Sequence, residues 1–354
     1  MSRPLHRSSF ARSAWRRLFL DRKAEFWLGE LRASWSLHEQ RARVVAVRAE
    51  TADAKTFTLA TPRAWPGHRA GQYVPVELEI EGVRVRRCYT ISSGASEPGR
   101  QRIEITVKRV PGGRASTWMH EHLEPGAVVR LGTPAGDFTV DAPAKLLLIG
   151  AGSGITPVAA IVRDLVRRDA GLDVIVVEAA RTDAEAIFAG ELAALSALHS
   201  IDVAGAAPCG LQVFAHRGPL DEAALHAYAP DLAEREVYVC GPAPVMELVS
   251  RLTPRVRLER FAAPVRTTAA TRARVHLAIA NRSVEIDGGT LLEGLQRAGE
   301  KPAHGCRMGI CNTCRCTKKT GTVEDLVTGA ISSEPDQEIR LCVSAAHSDL
   351  ELSL

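Results

Sequence analysis

The chain has 354 residues, of which 45% are hydrophobic and 24% charged, with a net charge of +4. At about 150 residues per domain this length predicts two or three domains, and the composition excludes a disordered chain. The small net charge argues against nucleic acid as a partner, although it suits docking on an acidic protein surface.

Residues 1–40 form a basic, aromatic extension, with five arginines and no acid in its first half. The spacing of Trp15, Leu18 and Phe19 predicts a short amphipathic helix. Three roles remain open for it: packing on the rest of the protein, peripheral contact with the inner membrane face through residues 1–35, or targeting to an organelle.

Residues 41–141 alternate short runs rich in Val, Ile and Thr with Gly and Pro. This pattern is typical of a small antiparallel β-barrel. The predicted strands are 43–48, 56–60, 72–77, 83–92, 102–108 and 128–131.

Residues 142–261 change to strands that alternate with helices, which predicts an α/β nucleotide-binding domain with a parallel sheet. The apolar run at 146–149 begins it and is far too short to span a membrane. The other predicted strands are 174–177, 213–215 and 236–240, and the predicted helices are 157–168, 184–198 and 243–251.

A glycine-rich loop follows the first of these strands and opens a helix. Gly150, Gly152 and Gly154 keep side chains away from a ligand, so that the helix N-terminus can face a pyrophosphate. Two charged residues after the next strand favour different coenzymes. Arg181 would suit the 2′-phosphate of NADPH, whereas Glu178 would suit the ribose hydroxyl of NADH.

Residues 262–271 lack periodicity and are predicted to be a linker. Residues 272–354 then form a small α+β domain that we expect to be β-grasp-like. Its predicted elements are strands at 275–280, 283–287 and 349–352 and a helix at 291–298.

Five of the eight cysteines lie in this last part of the chain. No secretory signal accompanies them, which disfavours a disulfide framework and indicates a cytoplasmic location. Cys306, Cys311 and Cys314 have the C-x4-C-x2-C spacing of a plant-type [2Fe–2S] cluster. Zinc is the disfavoured alternative, because its structural sites usually pair two short cysteine knuckles.

The fourth ligand has two candidates. Cys342 lies on a separate segment and could close the cluster cage from the other side. Cys316 lies two residues beyond Cys314, and its chain would have to fold back to reach the second iron. We therefore expect Cys342 to be the ligand.

With these motifs, residues 272–354 resemble a plant-type ferredoxin, and residues 41–261 resemble the ferredoxin reductase-like flavoproteins. The resemblance of residues 41–261 rests on four motifs: Arg87-Cys88-Tyr89-Thr90, Lys108 to Ser116, Gly150 to Pro157 and Cys240-Gly241-Pro242. The resemblance implies a multidomain flavoprotein that binds FAD; a related group with the same domain order holds FMN, so FMN remains open.

The resemblance also implies site residues. In the first motif, Arg87 would pair with a flavin phosphate, Tyr89 would stack on the isoalloxazine, and Thr90 would bond the ring edge. The remaining residues implied for FAD and NAD(P)H are Lys108, Gly112, Gly113, Ser116, Gly150, Gly152, Gly154, Thr156, Gly241 and Pro242. Cys240 would lie at the site of hydride transfer.

The implied activity is that of an oxidoreductase that passes hydride from NAD(P)H to the flavin and then single electrons through the cluster to a partner protein. Reductases of this kind serve membrane fatty-acyl desaturases, ring-hydroxylating oxygenases and phenylacetyl-CoA-type oxygenases. The Trp27 and Trp35 region and the 306–316 run favour the desaturase group. A redox sensor or assembly partner is the alternative from another class.

Overall fold

The computed structural model describes residues 39–141, 145–168, 173–201, 209–261, 272–307, 309 and 313–354. The predicted N-terminal helix, the predicted linker at 262–271 and Cys311 lie outside the described residues. No helix in the described ranges is both long enough and apolar enough to cross a lipid bilayer.

An antiparallel sheet of six strands forms the first part of the fold. The strands are β1 (Gln40–Thr51), β2 (Ala54–Ala60), β3 (Tyr73–Ile80), β4 (Val83–Thr90), β5 (Arg102–Lys108) and β6 (Val128–Leu131), with helix α1 (Arg114–His122) before β6. Their order in the sheet is β4-β3-β6-β1-β2-β5. A bridge between Ile91 and Ile105 joins the chain after β4 to β5, so the two edges meet as in a barrel.

The barrel interior is filled by every second side chain of its strands. On β5, Ile103, Ile105 and Val107 are almost fully buried. Because successive residues of a strand point to opposite faces, these three β-branched side chains share the inner face. The same alternation places Val74, Val76 and Leu78 of β3 in this core.

The second sheet is parallel except at one edge. Its strands are β7 (Lys145–Ala151), β8 (Asp173–Ala180), β9 (Ser200–Ile201), β10 (Cys209–Arg217), β11 (Glu236–Cys240) and β12 (Val256–Glu259), in the order β12-β11-β7-β8-β10-β9. The helices are α2 (Ile155–Arg167), α3 (Ala189–His199), α4 (Glu222–Tyr228) and α5 (Ala243–Leu252). Among the strands that the structure describes in this sheet, only β9 pairs antiparallel, with β10.

The centre of this sheet is apolar on both faces because helices cover both. Leu146 and Leu148 of β7 belong to one core cluster, and Leu147 and Ile149 belong to another on the opposite side. Parallel pairing places Gly150 beside Cys240, so the carboxyl ends of β7 and β11 lie together. Ligands of open α/β sheets bind at this edge.

The helix that we expected at 184–198 was placed too early. In the structure a short 3₁₀ turn at Asp183–Glu185 precedes α3, and α3 begins at Ala189. Phe188 has a left-handed backbone with φ of 64°, which no α-helix can contain. Strand β12 and helix α4 were not expected from the sequence.

The third part of the fold has two small sheets and one helix. Its strands are β13 (Arg272–Leu277), β14 (Arg282–Asp287), β15 (Arg315–Thr320), β16 (Val323–Asp325), β17 (Ile331–Ser332), β18 (Gln337–Arg340), β19 (Ser344–Ala346) and β20 (Leu350–Leu352). The sheet orders are β14-β13-β20-β15-β18 and β17-β16-β19. Helix α6 (Leu291–Arg297) begins with a capping box formed by Thr290 and Glu293.

Helix α2 joins the second sheet to the barrel. The guanidinium of Arg163 donates to Glu191 at 2.6 Å and to the Ser92 carbonyl of the barrel, and it lies 4.5 Å from the ring centroid of Phe188. The next residue, Asp164, accepts a hydrogen bond from the backbone of Ala95 at 3.2 Å. These contacts hold the barrel against the parallel sheet.

Candidate active site and cluster site

The flavin motif lies on β4 and is half exposed at Arg87 and Tyr89. Since residues two apart on a strand share a face, these two side chains point the same way. Tyr89 packs against the barrel core, and burial raises the pKa of its phenol to about 12. The ring therefore stays neutral and suits stacking on another aromatic ring.

Thr90 ends the same strand and is buried. Its hydroxyl has no hydrogen-bond partner among the described residues. A buried hydroxyl without a partner is costly, so a native structure usually supplies one. A flavin ring edge would supply one, so the Thr90 hydroxyl suits the flavin that the resemblance implies.

Arg87 connects the flavin strand to the third part of the fold. Its Nη1 atom donates to the carbonyl of Arg86 at 2.8 Å and to the carbonyl of Gly305 at 3.1 Å. Gly305 directly precedes Cys306, the first cysteine of the cluster motif. The sequence analysis did not predict this contact, because neither motif contains a pattern that indicates proximity to the other.

The segment from Lys108 to Ser116 borders a cavity of about 660 Å³. Gly112 has a φ of 70° and open space at its Cα, so a ligand can approach its backbone. The Ser116 hydroxyl accepts from the Val110 amide at 3.1 Å and so shapes the loop itself. Gly113 is tightly packed, because a Cβ there would lie 2.7 Å from the Ser116 hydroxyl.

Lys108 and Arg181 line this cavity and also a second one of about 680 Å³. The second cavity lies at the carboxyl ends of β7 and β11, and its lining includes Gly152, Gly154, Gly241, Pro242, Met246 and Phe261. Lys108 is paired with Asp53 at 2.8 Å. The two cavities therefore share two cationic side chains, which suit the phosphates of a bound nucleotide.

The glycines of the β7–α2 turn have different tasks. A Cβ on Gly154 would lie 2.0 Å from the carbonyl oxygen of Cys240, and one on Gly150 would lie 2.6 Å from Ile155. Gly152 has a φ of 56° and open space in front of it. Thus Gly150 and Gly154 let chains pack closely, while Gly152 leaves room for a ligand. Thr156 is buried behind the turn and donates to the Ser153 carbonyl at 3.0 Å.

Cys240 lies at the end of β11, with Glu259 of β12 as its register partner. Burial raises the pKa of the Cys240 thiol well above its usual value, so the thiol stays protonated. Burial, and then the charge of Asp137, raises the pKa of Glu259 to about 7. The sequence analysis assigned no role to Glu259, although its place two residues before the cleft residue Phe261 was a usable signal.

Glu178 and Arg181, which favour NADH and NADPH respectively, each form an ion pair within the protein. Glu178 is buried and accepts a hydrogen bond from Arg217 at 2.7 Å. Arg181 is exposed and pairs with Glu185 at 2.7 Å. The Glu178 carboxylate is thus bound within the protein rather than open to a ribose.

Three of the predicted cluster ligands, Cys306, Cys314 and Cys342, are buried in the third part of the fold. A hydrogen bond with Cys314, followed by burial, raises the pKa of the Cys342 thiol. The amide of Gly309 points at the Cys342 sulfur at 3.2 Å, which suits a thiolate that binds iron. Cys316 is buried on β15 opposite Ile339. Among the described residues, no group of three or more His, Cys, Asp or Glu side chains is placed to hold a metal ion.

Comparisons with known proteins agree with this arrangement. The model of the oxidoreductase FAD-binding domain matches residues 41–140, that of the oxidoreductase NAD-binding domain matches 148–251, and that of the 2Fe-2S iron-sulfur cluster binding domain matches 276–347. These matches confirm the expected FAD and [2Fe–2S] cofactors.

Similar proteins include an NADPH oxidoreductase of Mycobacterium tuberculosis, 35% identical over 90% of this chain and 86% of that protein. A glycine betaine monooxygenase reductase subunit of Pseudomonas aeruginosa is 34% identical over 90% of this chain and 96% of that protein. The structure of phthalate dioxygenase reductase superposes with a TM-score of 0.63 at 25% identity, over 90% of this chain and 98% of that one. The chain belongs to the NAD(P)H-dependent flavoprotein oxidoreductases in which an FAD-binding domain and an NAD-binding domain precede a [2Fe–2S] ferredoxin domain.

Proposed function

We propose that the protein is the reductase component of an iron oxygenase system and supplies its partner with single electrons from NAD(P)H. When bound, FAD accepts two electrons together as hydride and releases them singly, which matches a cluster that carries one. The protein's own residues bind these groups, align them and keep water away.

The observation that carries this proposal is the contact between Arg87 and Gly305 at 3.1 Å. It joins the strand of the flavin motif to the residue that precedes Cys306. Because electron transfer requires two redox centres to be close, a protein that brings these motifs together is built to pass electrons between them.

We assign the residues to three groups. The proposed FAD residues are Arg87, Tyr89, Thr90, Lys108, Gly112, Gly113 and Ser116. The proposed NAD(P)H residues are Gly150, Gly152, Gly154, Thr156, Gly241 and Pro242, with Cys240 at the reacting end. The proposed cluster ligands are Cys306, Cys311, Cys314 and Cys342, and the buried Gly309–Cys342 hydrogen bond supports the last of them.

Strands β4, β11 and β12 supply two buried neutral groups and one half-buried carboxyl to the proposed flavin and nicotinamide sites. Thr90 offers its unpartnered hydroxyl to the flavin ring edge. The Cys240 thiol stays protonated, and Glu259, with a pKa of about 7, can hold a proton at its carboxyl near neutral pH.

The names of similar proteins support an oxygenase as the electron acceptor. A glycine betaine monooxygenase reductase subunit and phthalate dioxygenase reductase both share this domain set and serve oxygenases by name. A membrane fatty-acyl desaturase is the second candidate. It is favoured by the basic, aromatic sequence of residues 1–35, which would suit a partner at the inner membrane face.

Anaerobic assays of the reconstituted protein test the electron route. With NADPH or NADH, wild type should reduce both ferricyanide and cytochrome c over many turnovers. Cys306→Ser should retain ferricyanide reduction, which needs only the flavin, and lose at least nine-tenths of cytochrome c reduction. If Cys306→Ser reduced cytochrome c as fast as wild type does, the route through the cluster would be contradicted. If wild type reduced each acceptor only once, a redox sensor would be favoured.

Vesicle binding separates the two acceptor classes. The full chain is floated with vesicles of phosphatidylcholine and phosphatidylglycerol, beside an Arg16→Glu and Arg17→Glu double variant. Flotation of wild type alone would support a membrane desaturase as acceptor. Absence of flotation in both would support an oxygenase in solution.

A further inference from the structure

The side chain of Arg340 bridges two segments of the ferredoxin domain beside the cluster motif. Its Nη1 atom donates to the carbonyl of Gly309 at 2.6 Å, and its Nη2 atom donates to a carboxylate oxygen of Asp325 at 3.0 Å. Arg340 itself lies two residues before Cys342. One guanidinium therefore links the cluster loop, strand β16 and the segment of the fourth cysteine.

Gly309 needs contacts that hold its backbone conformation. It has a φ of 73°, and a Cβ there would lie 2.9 Å from the side chain of Val343. Only glycine fits such a position, and glycine by itself does not hold one backbone conformation. The Gly309 amide donates to the Cys342 sulfur, and its carbonyl is held by Arg340. Contacts on both sides of the Cα thus fix both of its dihedral angles.

Asp325 anchors Arg340. One oxygen of its carboxylate accepts the amides of Val327 and Thr328 at 2.9 and 3.0 Å, and the other accepts from Arg340. The carboxylate is held by the turn after β16 and cannot follow the guanidinium if the cluster loop moves. The planar guanidinium has several donors in fixed directions, so it holds two acceptors at a set separation, which a lysine cannot do.

We propose that Arg340 is a positioning residue for the [2Fe–2S] cluster: it holds the Gly309 carbonyl and thereby fixes the backbone, so that the Gly309 amide stays on the sulfur of Cys342. This inference rests on the proposed ligation by Cys342. Hydrogen bonds to cluster sulfurs raise the reduction potential, because they stabilise the more negative reduced form. Partners that orient a ligand in this way act on a metal centre without touching the metal.

The test is a redox titration of the full-length protein with bound FAD and cluster, followed by the paramagnetic signal of the reduced cluster. In Arg340→Met we expect the equilibrium constant for one-electron reduction to fall about tenfold, a potential lower by about 59 mV. In Arg340→Lys the charge remains but the two-point link is lost, so we expect more than half of this fall to persist.

Arg315→Met is the matched control. Arg315 is an exposed arginine next to Cys314 that pairs with Glu338 on the neighbouring strand. Its loss removes the same charge from the cluster's surroundings without touching Gly309, so the equilibrium constant should change less than twofold. Asp325→Asn, which leaves Arg340 in place but weakens its anchor, should lower the potential in the same direction by a smaller amount.

The inference would be overturned if the equilibrium constant in Arg340→Met were within twofold of the wild-type value, or if it fell equally in Arg315→Met. Flavin absorbance and the number of spins per chain show whether each variant is folded and loaded, and Asp325→Asn keeps the test decisive if Arg340→Met loses its cluster. If Cys342→Ser retains the wild-type signal, the ligand assignment itself fails, and that result is distinct from a failure at Arg340.

Discussion

The Nη1 atom of Arg87 and the carbonyl oxygen of Gly305 are 3.1 Å apart, although 218 positions separate them in the chain. Arg87 belongs to the flavin strand β4, and Gly305 precedes the first cluster cysteine. This contact has a consequence for catalysis: one side chain contributes both to the proposed flavin site and to the placement of the ferredoxin domain.

Replacing Arg87 should therefore affect two functions. Arg87→Met should weaken FAD binding about tenfold or more, because hydrogen bonds to charged groups contribute about 1.5–3 kcal/mol. With FAD saturating, cytochrome c reduction should still fall relative to ferricyanide reduction. Arg84→Met is the control, since Arg84 is an exposed arginine of the same strand with only a long ion pair to Glu77 at 3.7 Å. Equal ratios in both variants would argue against the docking role.

Thr90→Val tests the orphaned hydroxyl. Valine has nearly the same shape and removes a buried hydroxyl that has no partner among the described residues, so the free energy of unfolding without FAD should stay the same or rise by about 1 kcal/mol. Hydride transfer should slow about tenfold, the effect of one lost interaction of about 1.4 kcal/mol in the transition state. Stopped-flow bleaching of the flavin measures this rate. An unchanged rate would mean that Thr90 does not contact the ring.

Glu259 predicts a pH dependence of stability. Burial, and then Asp137, raises its pKa to about 7 from 4.5, so the folded protein holds this proton more tightly than the unfolded chain does. Its favourable contribution is complete below pH 4.5 and is lost as the pH rises through about 7. Glu259→Gln lacks this titration, so it should melt about 2–4 °C above wild type at pH 8 and show no such gain at pH 4.5. The same difference in melting temperature between Glu259→Gln and wild type at both pH values would refute the raised pKa of Glu259.

The choice between the two candidate fourth ligands is also testable. Cys342→Ser should abolish or strongly alter the paramagnetic signal of the reduced cluster, because Cys342 receives the Gly309 amide and adjoins Cys314. Cys316→Ser should keep the wild-type signal, at a modest cost in stability for a hydroxyl buried on β15. Both variants should retain ferricyanide reduction, which shows that the flavin part is intact. A normal signal in Cys342→Ser and its loss in Cys316→Ser would reverse the assignment.

Local patterns in the sequence were sufficient for most of the elements. Strands β5 and β6 were predicted at their observed bounds, and β4 was predicted closely, because their alternation of apolar residues and flanking turns is decided within a few residues. The start of α3 was predicted wrongly, since Phe188 has a left-handed backbone and its ring packs under Arg163, a contact that the neighbouring residues in sequence do not indicate. Strand β12 was missed because it is short and only half buried.

By itself, the sequence determined the kinds of chemistry: cysteine spacing for the cluster, a glycine turn for a dinucleotide, and an arginine and tyrosine on one strand face for a flavin. Such motifs are readable because a few adjacent residues carry them. Only the tertiary structure decided which distant residues meet: Arg87 with Gly305, Glu259 with Cys240, and Arg340 with Gly309. These pairs follow from how the three domains and their strands pack, and no local pattern records a contact between segments so far apart.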